Sequence, residues 1–409
     1  MPFWIDDPAD LSARLGNPPA WVGLDTEFVR ERTYWPQLAL VQMAIGDDIL
    51  LIDPLAPGIA DALRPLLADP SVLKVMHSAS EDLVALSHDC GVLPAPLFDT
   101  QIAAALCGIG GGMGYQRLVQ EITGVALAKG ETRSDWLRRP LSDSQLEYAA
   151  DDVVHLGAIY RELDARLQAS NRRDWLDQDC ARMLANATEE GERWPHLSMR
   201  SAQFLDADAQ IRLLRLLRWR DVQARSSDKP RSWILDNELA TALARTPPAD
   251  RAALQALLEA HPKAPRKLGD AVWQALIQPL PDEAAAPLAR NASTEEKNGL
   301  RRLQDAVAAR SAELGRSRAP KHPSAGHKAL GLTLMLQPGK QSFSRRNRRT
   351  SAEAASRPLE RLVRFPAREG RPEIRAVPGG TRVRHERQLF SSRLRSTTSL
   401  WSDDYRSTS

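Results

Sequence analysis

Along residues 1–165 the hydrophobic pattern keeps switching period. Runs such as "WVGLDTEF", "LALVQMAI" and "ILLID" are rich in Val, Ile and Leu and end at turn residues, which predicts buried strands. "GDD" between the second and third runs predicts a hairpin turn. "DALRPLLA", "SEDLVALSHDC" and "QIAAALCG" read as helices, with Ser80 placed to cap the second. "VLKVMH" and "LFDT" add two strands, and "SDSQLEYAADDVVHLGAIYRELDARL" reads as one long amphipathic helix. A strand hairpin followed by alternating helices and strands implies an α/β fold, a mixed sheet with helices on its faces.

Beyond this the pattern is helical only. Residues 166–204 are polar and read as a helical connector. Residues 205–283 hold four apolar-periodic segments separated by Pro-containing turns, which predicts a small all-α bundle. "STEEKNGLRRLQDAVAARSAELG" (293–315) starts a further helix with a capping-box-like opening. At Gly315 the periodicity stops. Residues 316–409 are rich in Arg and Ser and cannot bury enough apolar surface to offset their ordering entropy, so they are expected to be disordered.

Charge sharpens that boundary. The net charge of +3 conceals 21 Lys and Arg against 7 Asp and Glu in residues 316–409, so the preceding part is acidic. An acidic body that handles nucleic acid must rely on local patches and bound cations. Two expectations stand for the tail: a basic arm with non-specific phosphate affinity, or a stretch read in a changed coding frame. Three cysteines without paired spacing argue against a disulfide framework or a zinc site and fit a reducing compartment. The start has no signal-peptide pattern, and no apolar run reaches the roughly 20 residues that span a bilayer. A cytoplasmic protein with no membrane partner is expected.

The candidate chemistry begins at "LDTEF". Asp25 and Glu27 alternate along a strand and point to one face, where like charges repel unless a cation lies between them. A solvated strand end is the plain alternative. Asp82 opens a helix just after a strand, where the helix dipole alone would favour an acid. Tyr148 and Asp152 stand four apart and share a helix face, with Asp151 turned away. The five together are the pattern of the DEDDy exonucleases. "LDTEFVRERTYWPQLALVQ", "HSASEDL", "FDTQIAA" and "TRSDWLRRPLSDSQLEYAADDV" resemble ribonuclease D over residues 20–165, and "RWRDVQARSSDKPRSWILDNELATALA" resembles the HRDC domain that follows in that family.

The resemblance implies a ribonuclease H-like 3′→5′ exonuclease domain (1–165), the connector (166–204), an HRDC domain (205–283) and an incomplete second HRDC-like domain (293–315). It implies two Mg²⁺ or Mn²⁺ ions, with Asp25 bridging, Glu27 and Asp152 completing one site, Asp82 holding the other and Tyr148 orienting the attacking water. The implied substrates are tRNA precursors and small structured RNAs, cut to nucleoside 5′-monophosphates by a monomer. A DNA exonuclease and a non-catalytic nucleic-acid-binding protein are the alternatives. Phe28, His77, Arg133, Trp136 and Arg139 are candidate substrate contacts. The glycines of "CGIGGGMGYQ" read as a flexible connection, and Trp219 and Trp233 as bundle core.

Overall fold

The computed structural model describes residues 2–313, apart from 129, 132–133, 188–190 and 263; the Arg- and Ser-rich stretch lies outside the described residues. Six strands form one mixed sheet: β1 (Phe3–Ile5), β2 (Trp21–Val29), β3 (Gln37–Ile45), β4 (Asp48–Ile52), β5 (Leu73–Met76) and β6 (Leu97–Asp99), in the order β1-β4-β3-β2-β5-β6. The central β2, β3 and β4 are antiparallel, while β1 joins β4 and β5 joins β2 in parallel, with β6 parallel to β5. Gly46, at φ +59°, makes the tight β3–β4 hairpin that "GDD" predicted. β1 has no forerunner in the sequence reading. Three residues are too few to show a period, and the strand exists through its pairing with β4.

Strand alternation gives the sheet two different faces. One carries Thr26, and α3 (Ser80–Cys90) packs there, next to α2 (Ile59–Ala68) on which α1 (Pro8–Leu15) rests. The other carries Gly23, Asp25, Leu40, Gln42 and Ala44. Its covering helices include α6 (Asp143–Val154) and α7 (Leu156–Ala169), and Gly23 leaves the room that Leu156 and Ala44 fill. These two helices were expected as one. The helix breaks at His155, because α6 lies over β2–β4 while α7 turns to β5, α4 (Thr100–Leu106) and α5 (Tyr115–Thr123). Gly157 permits the turn: a Cβ there would meet the Trp21 ring at 2.6 Å. α8 (Arg173–Ala187), expected in the connector, folds back and buries Leu176, Cys180 and Met183 in the first core.

The helical module comprises α9 (Ala207–Ser226), α10 (Arg231–Ile234), α11 (Asn237–Arg245), α12 (Arg251–Ala260) and α13 (Gly269–Ile277). Asp206, Asp236 and Asp250 each accept a backbone N–H as N-caps. Leu213, Leu217, Leu239, Leu243, Leu258 and Val272 lie in its separate core. Trp219 packs against that core, but Trp233 is 57% exposed, so its assignment to the core is corrected. α14 (Thr294–Glu313) begins with the reciprocal cap that "STEE" suggested: Ser293 N donates to Glu296 Oε2 at 2.8 Å and Glu296 N to Ser293 Oγ at 3.1 Å. It buries no residue. No described helix is long and apolar enough to cross a membrane.

The two cores meet through the β2–β3 loop. The Tyr34 hydroxyl donates to Asp221 Oδ1 at 3.1 Å and accepts from Arg225 Nε at 2.9 Å and Arg231 Nη2 at 2.7 Å. Asp228 Oδ1 accepts the backbone N–H groups of Tyr34 and Trp35, both at 3.0 Å. Trp35 stacks in turn on His88 of α3, with centroids 4.8 Å apart.

Candidate active site

Asp25 and Glu27 leave β2 on its α6 face, and a register shift follows directly between Glu27 and Phe28. The ladder is thereby interrupted by one residue where the carboxylates gather, and resumes with Phe28 opposite Leu38. Asp82 sits in the first turn of α3. Ser80 does not cap that helix; Ala79 precedes it and gives its N–H to Asp99 Oδ2 at 2.9 Å. Asp99 caps the junction between β6 and α4, also accepting from Gln101 N and Ile102 N. Asp82 is buried, and Thr26 donates its hydroxyl to Asp82 Oδ1 at 2.5 Å.

The structure brings Asp25, Glu27, Tyr148 and Asp152 to the wall of one cavity of about 170 Å³, shared with His77 and Tyr115. Asp82 is not on that wall, yet its charge is felt by both Asp25 and Glu27. Desolvation, then the charges of Asp82, Asp152 and Glu27, hold the Asp25 carboxyl well above its usual range. Desolvation, followed by the Asp152 and Asp82 charges, pushes Glu27 up to about 8. Burial raises Asp152 to about 7 against the pull of the Tyr148 hydroxyl, and Asp82 to about 6 against its bond from Thr26. Burial also raises Tyr148, with Asp152 adding to the effect, so the phenol keeps its proton.

These are carboxylates forced together in a place that resists their charge. The donor set on that wall is all hard oxygen: both nitrogens of His77 are engaged, and among the described residues no cysteine lines the cavity. Hard divalent cations match such a set. The side chains surround the cavity loosely: among the described residues no three His, Cys, Asp or Glu groups stand close enough to hold an ion by direct contacts alone. An ion that keeps several of its waters, as Mg²⁺ does, tolerates that spacing.

The suggested substrate contacts fare differently. His77 binds Thr100 Oγ1 through Nδ1 at 2.9 Å and the Met113 carbonyl through Nε2 at 3.1 Å, so it lends the cavity a ring and no free nitrogen. Trp136 is 3% exposed and packs with Leu40, Leu51 and Ala149, so its reading as an RNA contact is corrected. Arg139 is corrected too. Its guanidinium is spent on Asp53 (2.8 and 2.6 Å) and on the Trp136 and Ala39 carbonyls. Phe28 is half-buried against the first core. Arg133 lies outside the described residues.

Tyr115 was missed. Gly114 starts α5 so that the next residue enters the cavity, with its ring edge-on to His77 (5.5 Å) and its hydroxyl on the Asp151 carbonyl at 3.3 Å. The "GGGMGYQ" glycines therefore lead into a helix start, and a tyrosine directly behind them was the available signal.

Comparison with known proteins agrees with this geometry. A 3′-5′ exonuclease family model matches residues 3–168, and an HRDC domain model matches residues 210–276. A ribonuclease D of Xanthomonas oryzae pv. oryzae is 66% identical over 317 residues, covering 77% of this chain and 87% of that protein. The chain belongs to the ribonuclease D family. A second ribonuclease D, from Pseudomonas paraeruginosa, is 40% identical over 68% of this chain and 79% of its own length. The crystal structure of Escherichia coli RNase D, described as an exoribonuclease involved in structured RNA processing, superposes with a TM-score of 0.68 at 32% identity. That match covers 78% of this chain and 86% of the other. The ribonuclease D resemblance read from "LDTEF", "HSASEDL" and "YAADDV" is borne out, as is the mixed-sheet fold followed by helices. The chain is a ribonuclease D-type exoribonuclease, a phosphodiester hydrolase.

Proposed function

We propose that the cavity binds two divalent cations, Mg²⁺ or Mn²⁺, and removes nucleotides one at a time from the 3′ ends of tRNA precursors and other small structured RNAs. The observation that carries this reading is the gathering of Asp25, Glu27 and Asp152 on one cavity wall, with the Asp82 charge reaching the first two and burial raising all four, an arrangement that costs stability unless cations are bound. Asp25, central among them, would serve both ions, while Glu27 and Asp152 would help to hold one and Asp82 the other. When bound, such cations act as Lewis acids toward the attacking water and the leaving oxygen of an in-line displacement.

The chain's own groups do the rest. Tyr148, kept protonated by burial, donates to Asp152 one helical turn away, and its oxygen accepts from and orients the water. Water loses a proton to solvent and adds to phosphorus on the side opposite the leaving 3′ oxygen; the P–O3′ bond breaks, that oxygen takes up a proton as the 3′ hydroxyl of the shortened RNA, and a nucleoside 5′-monophosphate leaves. Tyr115 and His77 close the wall with rings, one able to lie against sugar or base. The helical module supplies phosphate contacts, and the molecule works as a cytoplasmic monomer.

A tRNA precursor with a 5′ label and a 3′ trailer tests this. Wild type with Mg²⁺ or Mn²⁺ gives a ladder shortening from the 3′ end, and chelator or Asp25→Asn, which preserves size, removes it. RNA left intact while DNA is trimmed would falsify the substrate and leave the chemistry standing.

A further inference from the structure

Gln42 sits in the middle of β3, fully buried, and neither its Nε2 nor its Oε1 has a hydrogen-bond partner. A buried amide with nothing to bond costs about 1–3 kcal/mol and calls for an explanation in a working site. Its surroundings supply one. On β4 its cross-strand partner is Leu51, and on its own strand the same face holds Leu40 and Ala44, all apolar. On β2 its cross-strand partner is Asp25. Directly opposed residues of an antiparallel pair have Cβ atoms about 4.5–5.5 Å apart, within reach of a glutamine side chain. The Asp25 carboxylate receives the Thr26 backbone N–H, and among the described residues no side-chain donor is recorded on it. One orphan donor therefore lies beside one under-served acceptor, and that acceptor is the central acid of the cavity.

Resting on the cation-binding reading above, we propose that Gln42 is a positioning residue for the carboxylate centre: its amide, unpartnered in the metal-free fold, stands beside Asp25 on the same sheet face to donate to its carboxylate and fix its orientation when cations bind. The amide touches neither cation nor RNA. It acts through Asp25, as groups behind metal ligands commonly do, where their loss weakens metal affinity or activity about 10–100-fold.

Gln42→Met keeps the length of the side chain and removes both amide atoms. Three quantities are read on the full chain: Mn²⁺ affinity by calorimetric titration, melting temperature without metal, and kcat and KM on RNA. The expected result is Mn²⁺ binding weakened at least tenfold and kcat lowered with KM unchanged, while the metal-free melting point holds or rises because an orphan polar group has left the core. Unaltered Mn²⁺ affinity overturns the proposal, and so does a loss of affinity matched by a fall in metal-free stability, the mark of damaged packing. If Gln42→Met does not fold, Gln42→Asn decides: it keeps the amide but withdraws it by one methylene, and wild-type Mn²⁺ affinity there overturns the idea. Asp25→Asn separates the two readings. Binding lost in Asp25→Asn but intact in Gln42→Met removes only the role of Gln42, whereas a wild type that binds no Mn²⁺ removes both.

Discussion

Gly130 passes with its backbone so close to Tyr148 that a Cβ would fall inside the ring. Its lack of a side chain fixes where the phenol sits. Gly130→Ala displaces Tyr148, and an error of about 1 Å at such a group costs about 100-fold in rate. Single-turnover cleavage therefore slows by that order while RNA affinity and melting temperature stay near wild type; an unchanged rate means the loop, not the ring, gives way. The carboxyls make a second prediction. Their folded pKa values, about 6 for Asp82, 7 for Asp152 and 8 for Glu27, lie above the unfolded range near 4. The unfolded chain then holds fewer protons across that interval, so metal-free stability is full below about pH 4 and is lost as pH rises to about 8. Thermal melts in chelator should fall across this window from this cause, and Mg²⁺ should flatten the fall. Asp25→Asn should flatten it in part without metal, since it removes one of the repelling charges.

At the scale of elements, Arg139 pins the segment before α6 to the sheet. Its bidentate pair with Asp53, and its bond to the Ala39 carbonyl at the bulged end of β3, join three stretches of chain. Arg139→Met leaves a buried Asp53 without its cation and destabilises by about 3–5 kcal/mol in urea titration. RNA affinity per folded molecule should not change, which separates this anchoring role from the substrate contact first read into "TRSDWLRRPL". The contrast shows what a sequence can carry. Asp25 with Glu27, and Tyr148 with Asp152, were legible because strand and helix periods alone put each pair on one face. The partner of Arg139 is 86 residues away, and no local period encodes that. The break at His155 was hidden likewise, since the apolar pattern runs straight through it and the bend is set by what each half covers. Gln42 did leave a trace, as the one polar position inside "LALVQMAI".

For the molecule as a whole, the alternation of elements was enough to separate a sheet core from a helical core, but not to find their junction. Tyr34 and Trp35 lie in a loop with no period of its own, and the acids and arginines that receive them lie roughly 190 residues on. Calorimetry should show the two cores melting together in wild type. Asp228→Ala, which strands two backbone N–H groups, should split or broaden that transition and leave metal affinity intact. The loop has a further consequence for anyone exchanging modules between relatives. The boundary at which this enzyme can be cut and rejoined is chemical rather than positional. A foreign helical module grafted at the linker arrives without a seat for Tyr34, unless counterparts of Asp221, Arg225, Asp228 and Arg231 travel with it. A four-residue password, not the linker, decides which chimeras behave as one protein.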